Sequence, residues 1–211
     1  PELLYVKAKV DGNIYFLSQQ TIADVLPIGH EVLAEIPGSE LVGLAYRGPW
    51  DELPAQTGIE HRVVGWADVS EEEGTGIVHI APGSGIDDFA LGQKEGLPVV
   101  KPIDGEGRYI DGFGPLVGLN ALTATDLILD SLTKKGLLFG SGDFLHRYPV
   151  CWRCKEEIVF TFVDEWFISS DEIRPLMKEA AAKVNWVPKS AGKRMQDWLD
   201  NMGDWAISRK R

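Results

Sequence analysis

The sequence predicts an α+β domain with a curved or closed, barrel-like sheet and surrounding helices, followed by a small helical appendage. Two observations lead to this prediction. Short segments of alternating apolar and polar residues dominate the first two-thirds of the 211-residue chain, with few helical segments between them. After about Gly142, a turn containing two cysteines is followed by two segments of helical spacing. We therefore expect one domain over residues 1–142 and a return segment over residues 143–211.

The strands are expected as short segments joined by turns. Residues 1–17 alternate on either side of Asp11-Gly12, a pair suited to a tight hairpin turn, and residues 21–26 suit a single helical turn. Further strands are predicted, in chain order, at residues 31–36, 40–46, 61–70 and 74–81, with a second hairpin over residues 99–112.

Four segments have the spacing of amphipathic helices. Glycines mark the ends of the first two, because a helix commonly closes on a residue in the left-handed conformation. The expected helices cover residues 87–95 before Gly96, residues 123–135 before Gly136, and residues 169–184 and 191–202 in the appendage.

Charge and composition exclude some classes of protein. The net charge of −11 argues against a general nucleic-acid binder. Residues 1–145 carry 9 Lys and Arg against 22 Asp and Glu, whereas residues 146–211 carry 12 Lys and Arg against 10 Asp and Glu. The excess of acidic residues therefore lies in residues 1–145, where it indicates a solvated acidic surface. Neither a membrane span of ~18 apolar residues nor a signal peptide is evident. Because the chain begins at Pro1, without an initiator methionine, we expect a piece of a longer protein. We expect its location to be cytoplasmic.

Residues 74–89, GTGIVHIAPGSGIDDF, enclose a histidine in an apolar run and place two acids just past a turn. In a strand, Val78 and Ile80 face a core while His79 faces away from it, which alone favours a surface or structural histidine. However, the end of a strand and the start of the next helix commonly line one cleft. The arrangement therefore also suits a binding or catalytic site.

Asp87 and Asp88 fall in the first turn of a predicted helix, where the helix dipole favours acids. Ser84 followed by Asp87 resembles a capping box, which leaves Asp88 for another task, such as holding a substrate ammonium. Ser84 does not fit the GxSxG pattern of a nucleophile. A phosphate-binding loop is disfavoured because Asp88 occupies the third glycine position of GxGxxG.

The two cysteines, Cys151 and Cys154, have CxxC spacing. One such pair is half of a structural zinc site, which takes four ligands, and His146 is a candidate third ligand. The pair either belongs to a zinc site completed elsewhere or carries no metal. A disulfide across two residues is a poor structural link, so a reducing compartment is favoured.

Four stretches together resemble the isoleucyl-tRNA synthetases, and within them the editing insertion, or connective polypeptide, of these class I enzymes. The longest is GTGIVHIAPGSGIDDFALGQKEGLP, and the other three are GSELVGLAYRGPW, HRYPVCWRCKEEIVF with the following DEWFIS, and GDWAISRKR at the end of the chain.

The resemblance implies an editing domain that hydrolyses valine misattached to tRNA(Ile) at the 3′-terminal adenosine and excludes isoleucine by size. Asp88 matches the family residue that binds the α-ammonium, and His79 matches one beside the ester. The implied substrate-binding wall also includes Gly74, Thr75, Gly76, Ala81, Pro82, Gly83, Ser84 and Phe89. Family members usually have histidine where this chain has Ser84.

The resemblance also implies parts outside this chain: a threonine-rich strand that forms the opposite wall, and the upstream half of a zinc site at Cys151 and Cys154. Editing itself needs no cofactor, while ATP and magnesium serve only the catalytic domain. We expect a monomer within a larger chain, tRNA(Ile) charged with valine as partner, no membrane, and weak or no activity of the isolated piece. Two alternatives remain open: a valyl-type editing domain that cleaves threonyl esters, and a non-catalytic module that binds tRNA and zinc.

Overall fold

The computed structural model describes residues 2–72, 74–143, 145 and 147–208. They mix helices and short strands, as the predicted α+β class requires. The chain divides into two compact units, Pro1–Phe162 and Val163–Arg211. The division after residue 142 that the change in composition indicated stays a prediction.

The largest sheet has three antiparallel strands in the order β2-β1-β3. They are β1 (Leu4–Val10), β2 (Asn13–Ser18) and β3 (Glu31–Pro37), with the short helix α1 (Ile22–Val25) between the second and third. The turn between β1 and β2 has positive φ at both Asp11 (48°) and Gly12 (86°), as a two-residue hairpin of matching twist requires. The predicted hairpin is confirmed.

One face of this sheet carries the core of the first unit. Val6 and Ala8 point to the same side of β1 and are buried with Leu17 and Leu26. Partly buried apolar residues surround this cluster: Val10, Tyr15, Ile22 and Val25.

The remainder of the first unit is mostly loop and helix. The predicted helices are confirmed as α2 (Ile86–Glu95) and α3 (Thr125–Lys134). Two residues each form β4 (Ala45–Tyr46) and β5 (His61–Arg62), which pair antiparallel. Short 3-10 turns occupy Gly38–Glu40, Pro54–Gln56, Gly114–Leu116 and Ala121–Thr123.

The barrel-like sheet is wrong for the residues that the structure describes, since their strands form separate sheets of three, two and two. The segments 40–46 and 61–70 contribute two strand residues each, and 74–81 contributes none. Alternation of apolar and polar residues indicates which side chains are suited to burial. A strand also needs a neighbouring strand whose backbone N–H and C=O groups form hydrogen bonds with its own. The hairpin over 99–112 reduces to one bridge between Ile103 and Tyr109.

The second unit contains two helices and a two-stranded ribbon. Helices α4 (Arg174–Ala182) and α5 (Lys189–Asp200) confirm the two predicted in the appendage. The ribbon pairs β6 (Phe167–Ile168) with β7 (Trp205–Ala206). Within the described ranges, no helix of either unit is long and apolar enough to cross a membrane.

Candidate functional site

Residues 74–76 begin the candidate site and are fixed to the first sheet. Gly74 and Gly76 have φ values of 55° and 67°, so the chain turns on both sides of Thr75. The carbonyl oxygen of Thr75 accepts a hydrogen bond from the Ser18 N–H at 2.7 Å, and that of Gly76 accepts one from the Tyr5 hydroxyl at 2.7 Å. No local pattern in the sequence predicted the contacts of Tyr5 or Ser18, because both residues lie more than 55 positions upstream.

His79 lies on an open face of the segment that follows. Its side chain is exposed, and its neighbours Ile77 and Val78 are 45% and 51% exposed. Among the residues that the structure describes, the His79 imidazole has no hydrogen bond or ion pair, and the backbone of residues 78–80 has no ladder partner. The imidazole is therefore accessible to a ligand.

The turn after this segment is tightly packed. The Ser84 N–H donates to the Ala81 carbonyl oxygen at 2.9 Å and closes the turn, and the Ser84 side chain is exposed. Pro82 and Gly83 are buried. A Cβ on Gly83 would lie 2.0 Å from the Val100 carbonyl oxygen, so this approach of two backbones requires glycine.

The predicted capping box of Ser84 and Asp87 is wrong. The N-cap residue of α2 is Gly85, and no side chain makes a capping hydrogen bond there. The helix begins one residue later than the box requires, so Asp87 is an exposed second residue of the helix. Its position in the first turn still suits the helix dipole.

Asp88 makes the hydrogen bond that links the helix to the preceding segment. Its carboxylate is half-buried, and Oδ1 accepts from the Ala81 N–H at 2.9 Å. The other oxygen lies over Gly85, where a Cβ would be 2.0 Å from Oδ2. Because Ala81 follows His79 by two residues, their Cα atoms are within ~7 Å. The structure thus brings Asp88 against the segment that carries His79.

Phe89 follows on α2 and is half-buried by aromatic packing. Its ring centroid lies 4.9 Å from that of Phe162, at an interplanar angle of 46°. The Lys101 ammonium lies 4.9 Å from the same Phe162 centroid. Neither Phe162 nor Lys101 was predicted here, since distant segments bring them in. Direct binding of a substrate by Phe89 stays a prediction.

Two clefts among the described residues lie elsewhere. One of about 540 Å³ is lined by residues of the first hairpin and α1 together with Phe139. The other, about 340 Å³, is lined by residues 58–60, 62 and 96–98. Neither of these two clefts includes any of residues 74–89.

Cys151 and Cys154 are free thiols, the first half-buried and the second exposed. Hydrogen bonds from the backbone N–H groups of Cys154 and Arg153 hold the pKa of the Cys151 thiol below its ordinary value. This favours the thiolate, which is the form that binds zinc. No three metal-binding side chains come together in the described part of the chain, and His146 lies outside it. The pair fits one half of a zinc site.

Comparison with known proteins gives matches over most or all of the chain. A family profile described as "tRNA synthetases class I (I, L, M and V)" matches residues 17–211. The isoleucine–tRNA ligase of Methanothermobacter thermautotrophicus is 40% identical over 213 residues, which cover 100% of this chain and 20% of that protein. That of Archaeoglobus fulgidus is 40% identical over 221 residues, covering 100% and 22%. The chain spans about a fifth of the length of these curated relatives.

A solved structure described as "The crystal structure of GlLeuRS-CP1" has a similar fold. It superposes with a TM-score of 0.51 and 16% identity, covering 68% of this chain and 75% of that one. At this identity the likeness concerns the fold alone.

Proposed function

The chain belongs to the class I tRNA synthetases (I, L, M and V), and from this premise we propose that it is the editing domain of an isoleucine–tRNA ligase. In this role it hydrolyses valine from mischarged tRNA(Ile) at the 3′-terminal adenosine. Identity of 40% with isoleucine–tRNA ligases over the whole chain and the likeness to a CP1 structure support the proposal. The observation that carries it is the half-buried carboxylate of Asp88, bound to the segment of His79.

A second site is needed because isoleucine and valine differ by one methylene. In a hydrophobic pocket that difference contributes only ~1–3 kcal/mol of discrimination, so a synthetic site shaped for isoleucine also accepts some valine. A smaller editing pocket reverses the selection, since valine enters it and isoleucine is excluded by steric overlap.

Asp88 anchors the substrate ammonium in this proposal. A carboxylate has two oxygens and about four acceptor positions, and the Ala81 N–H uses one of them. The remaining capacity suits a charge-assisted hydrogen bond to the α-ammonium of an aminoacyl ester. The backbone of Ala81 holds the carboxylate in place before the substrate arrives.

His79 orients the ester or the attacking water. Its exposed imidazole stands on the segment that Asp88 contacts, with Gly74, Thr75 and Gly76 at the beginning and Ala81, Pro82, Gly83 and Ser84 at the end. An aminoacyl ester is already reactive, so holding water and ester in register is sufficient and no covalent nucleophile is needed. Ser84 occupies the position of the family's usual histidine, so this position supplies no imidazole here.

Zinc, if bound, is structural in this proposal. Cys151 and Cys154 would supply two thiolates, and two further ligands would come from the rest of the polypeptide. ATP and magnesium belong to the catalytic domain outside this chain. The proposed setting is a cytoplasmic monomer that acts on tRNA(Ile).

The test is hydrolysis of purified aminoacyl-tRNA by the complete polypeptide that carries this chain. We expect valyl-tRNA(Ile) to be cleaved and isoleucyl-tRNA(Ile) to be spared. Normal isoleucylation without cleavage of valyl-tRNA(Ile) would identify the chain as a non-catalytic module. Faster cleavage of a threonyl than of a valyl ester would assign it to a valyl-type enzyme. The isolated chain is expected to show little or no activity.

A further inference from the structure

Tyr5 on β1 and Ser18 on β2 form a surface, called here the Tyr5–Ser18 notch, that contacts the beginning of the candidate site. Tyr5 and Ser18 are direct partners in this ladder, so their side chains stand on the same face of the sheet. That face is opposite to the one from which Val6 and Ala8 enter the core. Tyr5 and Ser18 are nevertheless buried, with 7% and 0% of their surfaces exposed. Another part of the chain must therefore cover them.

Three hydrogen bonds join this Tyr5–Ser18 notch to residues 71–76. The Tyr5 hydroxyl donates to the Gly76 carbonyl oxygen at 2.7 Å, and the Ser18 N–H donates to the Thr75 carbonyl oxygen at 2.7 Å. The Ser18 hydroxyl donates to the Glu71 carbonyl oxygen at 2.9 Å. Each bond spans more than fifty residues of sequence, so together they attach Glu71, Thr75 and Gly76 to the first sheet by tertiary contacts.

Gly76 fits this notch because it has no side chain. A Cβ there would lie 2.8 Å from the Ser18 Cβ and 3.5 Å from the Tyr5 Cε1. The residue also has a φ of 67°, which L side chains rarely adopt. The notch thus determines both the position and the direction of the backbone at Gly76.

His79 follows three residues later, on a segment without ladder partners among the described residues. The nearest links of this segment to other parts of the chain are the notch before it and the Asp88–Ala81 hydrogen bond after it. We propose that Tyr5 and Ser18 are positioning residues of the editing site. They fix the backbone at Gly76 and so set the approach of His79 to the ester. This inference rests on the proposed function.

The first test measures Tyr5→Phe in the complete polypeptide. Removing only the hydroxyl should lower kcat for hydrolysis of valyl-tRNA(Ile) about tenfold and leave KM within about twofold, because geometry at the reacting groups is lost while tRNA binding elsewhere is kept. Isoleucylation should be unchanged. The matched control is Tyr15→Phe in the same hairpin, whose ring packs against Phe139 and which should keep the wild-type kcat. A lower melting temperature with wild-type kcat would show a merely structural role and overturn the proposal.

The second test is independent of activity. Amide hydrogen exchange at position 18, whose N–H donates to the Thr75 carbonyl oxygen, should be at least about fivefold faster in Tyr5→Phe and in Ser18→Ala than in Tyr15→Phe. Ser18→Ala serves alone if Tyr5→Phe does not fold. Unchanged exchange would overturn the positioning role even if the wild type edits. Faster exchange in a protein whose wild type does not cleave valyl-tRNA(Ile) would support the anchoring and contradict the editing function.

Discussion

The Asp88 carboxylate accepts a hydrogen bond from the Ala81 backbone N–H at 2.9 Å, and this contact joins the first turn of α2 to the segment that carries His79. The same contact leaves the second carboxylate oxygen available over Gly85. One acid thus links the segment before the turn to helix α2 and offers a negative charge beside that link. Variants that separate these two properties give the most informative tests of the site.

Asp88→Asn removes the charge but keeps an oxygen that accepts from Ala81. The fold should be preserved, while hydrolysis of valyl-tRNA(Ile) should fall by about 10- to 100-fold, because a hydrogen bond to a charged group contributes ~1.5–3 kcal/mol. Deacylation kinetics and thermal unfolding of the complete polypeptide check both expectations.

Asp88→Ala removes the charge and the acceptor together. It should match Asp88→Asn in activity and also lower the free energy of unfolding by about 1 kcal/mol, since the half-buried Ala81 N–H loses its partner. Wild-type deacylation in either variant would refute the ammonium-binding role of Asp88.

Gly83→Ala should lower the free energy of unfolding, whereas Gly85→Ala should lower the rate of deacylation. A Cβ on Gly83 meets a backbone oxygen of Val100, so this variant should be destabilised by about 1–3 kcal/mol. The three heavy atoms nearest to a Cβ on Gly85 all belong to the Asp88 side chain, with Oδ2 at 2.0 Å and Cγ at 3.0 Å, so the carboxylate moves aside. Gly85→Ala should therefore keep most of its stability and lose deacylation. Denaturant unfolding measures the stability of both variants, and a deacylation assay measures their activity. Wild-type deacylation by Gly85→Ala would show that editing does not depend on the placement of the Asp88 carboxylate.

His79→Ala should change activity without changing stability. The side chain is exposed and has no partner among the described residues, so the free energy of unfolding should stay within about 0.5 kcal/mol of wild type. Hydrolysis of valyl-tRNA(Ile) should fall, or isoleucyl-tRNA(Ile) should become a substrate. If both rates equal those of the wild type, His79 has no role in editing.

Local signals in the sequence were sufficient for the elements that form from local contacts. The Asp11-Gly12 turn predicted the first hairpin, and helical spacing ending at Gly96 and Gly136 predicted α2 and α3. These features depend on residues a few positions apart, whose conformational preferences are readable without knowledge of the rest of the fold.

The rest depends on partners far away in the sequence. The apolar alternation of residues 74–81 resembles that of a paired strand, but pairing needs a second strand that the pattern does not identify. The same limit applies to the candidate site. His79 and Asp88 belong to one short stretch, whereas the anchoring by Tyr5, Ser18 and Val100 depends on tertiary contacts.

Zinc content tests the half site. The complete polypeptide should hold a zinc ion that is lost, as about one equivalent per chain, when Cys151→Ser and Cys154→Ser are combined. Asp88→Asn is the matched control and should keep it. Elemental analysis after dialysis gives the count, and an unchanged zinc content in the double variant would exclude these two thiols as ligands.

A crystal structure of the complete polypeptide with a non-hydrolysable valyl-adenosine analogue tests the central claim most directly. The account predicts the α-ammonium nitrogen within about 3 Å of the Asp88 carboxylate, with His79 beside the ester position. An analogue bound away from residues 74–89, for example in the cleft lined by Tyr15 and Phe139, would contradict it.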